Sequence, residues 1–520
     1  MIRSIDPKSL KTWLHDGAEI ALFDVREHGQ YGEGHSFYAV PLPYSRLELD
    51  LERLAPRPAV RMVLVDDGDG VARRAAARAE VLGYSNVQVL DGGAPAWKQA
   101  GFQLFAGVNV PSKTFGELVE HACDTPRITA EELVAMKQRG DDFVLVDGRP
   151  WSEYRKMNIP GGICCPNGEL ALRIGQLAPD PATTVVVNCA GRTRSIIGAQ
   201  TLRHFGIANR VVALKDGTQG WFLSGLELER GADRRYPAPP TDLAPLRAQA
   251  VQLMERFAVP AIDAAEADRQ LADASRSTFL LDVRTEEEFA AGSLPGAVHA
   301  PGGQLVQSTD QWVGVKGARV ILADGDGVRA PVVAMWLRQL GHDAQVLRGG
   351  VSAKLAWQPA AAKAIASLPV LDAVAPSAVG SALLVDLRPG MSHRRMHPRG
   401  AVWAIRPRLD AMVKAAAGRP LVLVADEDAV ARAAAVDLAA AAAGKLALLA
   451  GGFAAWQAAG LPVATTPDQP ANADCIDYLF FVHDRHEGNR EAAMQYLAWE
   501  THLIEQLDPQ ELAGFRVSAG

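Results

Sequence analysis

The stretch VVVNCAGRTRS, Val185 to Ser195, is an apolar run that stops at a cysteine and continues into a small basic turn. Just beyond it, Ile196, Ala199, Leu202 and Phe205 recur at helical spacing, and Gly206 gives a helix stop signal. The stretch therefore reads as a buried strand, a turn and the start of a helix. A strand feeding a helix in this way is the building block of an α/β fold.

Outward from this point, the same surroundings occur four times. Each copy has an apolar strand ending in Asp-x-Arg, at Asp24, Asp147, Asp282 and Asp386. A second apolar strand follows: RMVLVDD, TVVVNCA, RVILADG and LVLVADE. An Ala-rich helical stretch comes next, then a strand, a Gly turn and a tryptophan: Trp97, Trp221, Trp357 or Trp456. The third copy inserts three extra residues before its tryptophan. Self-similarity of this kind marks an array of units. Short β runs alternating with helical patterns predict a mostly parallel sheet with helices on both faces.

The fold class expected is α/β: four tandem units and a C-terminal helical tail. The units span 1–105, 126–230, 258–360 and 370–465, and the tail 466–520. Asp6-Pro7, Thr129 with Glu132 and Asp263 with Glu266 mark helix starts in the first three units. The fourth offers only LDAVAPSAVG, so its first helix is expected to be short or missing. Pro/Ala-rich linkers separate the first three units. In the tail, Asn489 to Leu507 reads as an amphipathic helix with Leu497, Leu503, Ile504 and Leu507 near one face. Docking on a neighbouring domain is its plain reading, and a homodimer contact its sharper one.

The totals bound the rest. A chain of 520 residues is too long for one core. A net charge of −7 points to neither nucleic acid nor an anionic membrane, so any anion site is built locally. Five sparse cysteines (Cys123, Cys164, Cys165, Cys189 and Cys475) do not form a disulfide framework. The start, MIRSIDPKSL, lacks the apolar core of a secretory signal, and the most apolar tract is broken by Asp437 and Lys445. A reducing cytoplasm is the expected setting, with no membrane span and no cofactor.

At Cys189 the turn carries chemistry. Backbone N–H groups at a helix N-terminus can curl around one point and bind an anion. The helix end and the guanidinium groups of Arg192 and Arg194 favour thiolate, and a thiolate in such a nest is a competent nucleophile.

The four units resemble rhodanese domains. The features are Asp-x-Arg, SEYRKMNIPGGI (Ser152 to Ile163), the loop from Cys189, and Gly217 with Trp221. The resemblance implies a sulfurtransferase in which Cys189 takes a sulfane sulfur as a persulfide. Ala190, Gly191, Arg192, Thr193, Arg194 and Ser195 would cradle the substrate. Thiosulfate, a small anionic donor, would release sulfite, and cyanide or a thiol would accept the sulfur. Related phosphatases use Cys-x5-Arg, but here Cys189-x4-Arg194 is shorter, and Ser195 stands where their arginine would be. Two arginines fit thiosulfate better than mercaptopyruvate, although Ala190 and Gly191 depart from the thiosulfate pattern Cys-Arg-x-Gly-x-Arg. The alternatives are a persulfide carrier or scaffold serving an acceptor protein, a mercaptopyruvate sulfurtransferase and, last, a phosphatase.

Aligning strand ends sets Asp67, Asp324 and Asp426 against Cys189. A carboxylate cannot carry a persulfide but can accept from the loop amides. Units one, three and four therefore read as non-catalytic. Their Asp-x-Asp start lacks the Glu of a calcium loop, so no metal is expected. Asp147, Arg149 and Glu153 read as structural braces, and Cys164 and Cys165 as structural thiols. His483, Asp484 and His486 form a polar cluster read as solvated or capping.

Overall fold

A computed structural model describes residues 2–441, 445–480 and 489–519. His483, Asp484 and His486 lie outside the described residues. Four five-stranded sheets are present, and every pairing within them is parallel. In the second copy the order across the sheet is Arg127–Ile128, Val211–Leu214, Thr184–Asn188, Phe143–Asp147 and Ile163–Cys164. The other three copies repeat this order.

Helices cover both faces, so the strands are apolar without alternation. Val185 and Val187 pack with Leu170, Ile174, Ala199 and Leu202 on one face. Val186 packs with Leu133, Met136 and Trp221 on the other. The predicted helix starts are present. Asp6 accepts from the amides of Lys8 and Ser9, Thr129 forms a capping box with Glu132, and Asp263 accepts from the amide of Glu266. The fourth copy opens on a single 3-10 turn, Pro376–Ala378. The indoles of Trp97, Trp221 and Trp456 each donate to a backbone carbonyl six residues on (Gln103, Glu227 and Pro462). Trp357, displaced by the three extra residues, packs instead against Gly296.

The chain forms two compact units. One holds the first and fourth copies, with the chain up to Phe480. Within it Arg406 pairs with Glu48 and Asp437, and lies 4.3 Å from the ring centre of Tyr44. The other unit holds the second and third copies and residues 489–519. The tail expected as one element from 466 is therefore divided between the units.

Inside the second unit the two copies meet reciprocally at Gly168 and Gly303. A β-carbon on either would lie within 2.8 Å of the other's amide nitrogen, so only glycine allows this approach. Arg194 of the second copy reaches Gln304 of the third, and Arg329 of the third reaches Glu169 of the second. The copies are thus related by a local twofold.

Candidate active site

Strand register fixes what each loop offers. Asp147 pairs with Asn188, so Cys189 is the first residue beyond its strand. The matching pairs are Asp24 with Val65, Asp282 with Ala323, and Asp386 with Val424. The residues in the cysteine's position are therefore Asp66, Asp324 and Ala425. A second measure agrees: β-carbons added to Gly217, Gly93, Gly350 and Gly452 would collide with the carbonyl oxygens of Cys189, Asp66, Asp324 and Ala425. This corrects two sequence assignments. Asp67 yields to Asp66, because strand Met62–Val65 ends before the Asp-Asp pair rather than inside it. Asp426 yields to Ala425, because strand Leu421–Val424 ends one residue sooner than its apolar run.

Cys189 directly follows the central strand, beside the end of Phe143–Asp147, where the chain's path across the sheet reverses. Open α/β sheets form their binding crevices at such points. The helix that follows, Thr193–Phe205, starts at Arg192 and stops at Gly206 with φ of 82°. Among the described residues, no N–H from Ala190 to Ser195 has a protein acceptor. Buried donors without partners are uncommon, and at a helix N-terminus they suit an anion.

The unarmed loops treat the same groups differently. Asp66 accepts from the amides of Gly68, Gly70 and Ala72. Asp324 accepts from Gly327 and Ala330, and Asp326 from Val328 and Arg329. Burial, and then the neighbouring Asp326, push Asp324 up to about 6. Asp67 turns away to Arg26 and Gln30.

The two loop arginines part company. Arg194 makes a two-pronged pair with Glu153 at 2.8 Å, and its guanidinium also meets Gln304. Burial opposes its charge, but Glu153 first and then Cys189 outweigh burial and hold its pKa above the ordinary value. The guanidinium of Arg192, expected from the sequence to face the substrate, is engaged by carboxylates. It is bound by Glu117, Glu120 and Asp216, which outweigh burial and raise its pKa. Glu117 and Glu120 belong to helix Val110–Cys123, part of what reads as a linker.

The tail closes the loop from above. Helix Arg490–Thr501 buries Ala493, Tyr496 and Glu500. Thr193 Oγ1 donates to Glu500 Oε1 at 2.6 Å, and Lys113 reaches both Glu500 and Tyr496. A β-carbon on Gly191 would press on Glu500 and Tyr496 and touch Leu497, so the helix packs closely over this glycine. Beneath this cover Cys189 is 2% exposed.

Asp147 and Arg149 form a buried pair, while Glu153, read as a brace, positions Arg194. Cys164 and Cys165 are buried free thiols. Burial foremost pushes Cys164 up to about 12 and raises Cys165 as well, which leaves neither primed as a thiolate. Among the described residues no His, Cys, Asp and Glu group is arranged to hold a metal. No helix of the described residues is long and apolar enough to cross a membrane.

Comparison with known proteins gives a consistent picture. The rhodanese-like domain profile matches residues 6–100, 129–224 and 263–356. The solved structure of a thiosulfate sulfurtransferase from Pseudomonas aeruginosa is 40% identical, with a TM-score of 0.91 over 99% of both chains. A curated HTH-type transcriptional regulator, Rv0324 of Mycobacterium tuberculosis, is 37% identical over 106 residues. That match spans 20% of this chain and 45% of the regulator.

Proposed function

This chain belongs to the rhodanese-like family, and from that premise we propose that it is a thiosulfate sulfurtransferase acting through Cys189. The observation that carries the reading is the ring of unpartnered N–H groups from Ala190 to Ser195 around the one cysteine that ends a central strand.

The Cys189 thiolate attacks the outer sulfur of thiosulfate. A new S–S bond forms, the old one breaks, and its electron pair leaves with sulfite. The loop amides and Arg194, held in place by Glu153, face the charge that develops, so little reorganisation is needed. The acceptor then attacks the outer sulfur of the persulfide, and the electron pair returns to Cys189. Cyanide becomes thiocyanate, and the enzyme is regenerated. Two half-reactions through one covalent intermediate give ping-pong kinetics.

Cys189 is 2% exposed beneath the tail helix, which favours a small thiophile over a protein as acceptor. A homodimer through the tail would have to use the opposite side of that helix, where Met494 is exposed. Five free cysteines fit a reducing cytoplasm.

The test is Cys189→Ser: thiocyanate formation is expected to disappear, along with the one-sulfur mass increase left by thiosulfate. Turnover surviving in the variant would refute the assignment. A comparison of kcat/KM for thiosulfate and mercaptopyruvate decides the donor.

A further inference from the structure

The third copy has a cavity of about 930 Å³ where the second has its loop and tail. Arg247, Val251, Met254, Asp324, Asp326 and Arg348 are among the residues lining it. It opens at the carboxyl end of the central strand, the position that carries Cys189 in the second copy.

Matching the two copies residue by residue explains the opening. Helices Val110–Cys123 and Ala244–Arg256 end alike: Asp124 and Ala258 have φ of 43° and 50°, two residues before Pro126 and Pro260. Arg194 and Arg329 match by their two-pronged pairs with Glu153 and Glu288. Gly217 and Gly350 match by their approach to the strand end. On this alignment Arg192, Glu117, Glu120 and Asp216 become Gly327, Val251, Met254 and Gly349. A cluster of four charged side chains is thus replaced by two glycines and two apolar residues. Lys113, under the tail helix in the second copy, becomes Arg247.

The lining is mostly apolar with a few charged groups, and its volume falls within the ~300–1,000 Å³ of ordinary ligand sites. Asp324 and Asp326 already occupy the loop amides, so an anion cannot enter the nest. The positive groups facing the cavity are Arg247, whose Nε is pinned to the Asp326 carbonyl at 2.7 Å, and Arg348, and Glu255 adds a third carboxylate to its wall beside Asp324 and Asp326. Val251 is 53% exposed and offers an apolar surface at the mouth of the cavity.

We propose that the third copy binds a small organic anion, an aryl or alkyl carboxylate or sulfonate. Its apolar body lies on Val251 and Met254, and its anionic group meets Arg247 and Arg348. Thiosulfate, which has no apolar body, is not this ligand.

The test is a fluorescence titration of the full chain with anilinonaphthalene sulfonate, an apolar sulfonate that brightens on burial. One saturable site per chain is expected. Val251→Glu restores the second copy's residue and raises Kd about tenfold. Arg247→Ala and Arg348→Ala each weaken binding several-fold, and the neutral phenylnaphthylamine binds more weakly than the sulfonate. Unchanged thiocyanate formation shows that each variant is folded. Binding within about twofold of the parent in both Val251→Glu and Arg247→Ala overturns the site. Equal binding of the neutral probe overturns its preference for an anion.

Discussion

The second and third copies share a sheet order, a local twofold and a two-pronged Arg–Glu pair, yet they treat one ring of amides in opposite ways. In the third, Asp324 and Asp326 supply acceptors from within. In the second, the same donors are left for a guest. A carboxylate side chain is a permanent substitute for a bound anion. The unarmed loop is therefore complete without ligand, while the armed loop holds buried, unsatisfied donors as the condition of its chemistry.

The largest test of this contrast is to convert one loop into the other. Cys189→Asp should place a carboxylate on the open amides, as Asp66 and Asp324 do. Sulfur transfer is expected to fall to background while the thermal midpoint holds or rises, as calorimetry would show. A large drop in midpoint would mean that the second loop does not accept an internal anion.

Next in size is the contrast between the paired arginines. Arg329 is 2% exposed and is held by Glu169, Glu288 and Asp326. Arg329→Ala strands those carboxylates and should cost about 3–5 kcal/mol in urea unfolding. Arg194→Ala strands chiefly Glu153, so its stability loss should be smaller and its main effect a drop in kcat/KM. Equal losses in the two variants would erase the distinction between a structural and a catalytic arginine.

The sequence made the repeat legible because each copy rewrites the same local chemistry: an apolar strand, Asp-x-Arg, a Gly turn and a tryptophan. The site was only half legible. In VLVDD two adjacent carboxylates concealed the strand end, and only the pairing of Asp24 with Val65 separates Asp66 from Asp67. Two of the partners of Arg192, Glu117 and Glu120, lie on helix Val110–Cys123, whose composition reads as linker. Glu500 is separated from Thr193 by 307 positions and left no local signal. The face expected of the tail runs through Leu497, Leu503, Ile504 and Leu507; Leu503 is buried and the other three are half-buried, while the buried face also takes in Ala493, Tyr496 and Glu500.

A smaller effect follows from a residue the copies do not share. On the cradle helix of the second copy His204 is buried; the third carries Gln339 at the matching position. Burial, and then Arg256 and Arg203, lower His204 from 6.5 to about 4. The unfolded chain binds this proton more readily than the folded one. Stability is therefore full above pH 6.5 and declines as pH falls toward 4, by about 3 kcal/mol from this group. His204→Gln, which copies the third unit, should flatten unfolding free energy against pH within that window. An unchanged slope would assign the acid sensitivity elsewhere.

The smallest effect expected concerns the tail, which covers the second loop and has no counterpart on the third. Glu500 accepts from Thr193 and pairs with Lys113 at 3.4 Å, and it lies beside Gly191. Glu500→Gln keeps an oxygen for Thr193 but removes the charge. The lost charge-assisted bonds should cost about 1–2 kcal/mol and speed hydrogen exchange in helix Arg490–Thr501. Activity should move the other way. A negative charge next to an anion site repels thiosulfate, so without it KM for thiosulfate should fall a few-fold with little change in kcat. Because the effect is electrostatic, the gap between variant and parent should narrow as salt is raised. A raised KM would instead mean that the tail holds the loop in its binding shape, and that the second copy owes its competence to the helix as much as to its cysteine.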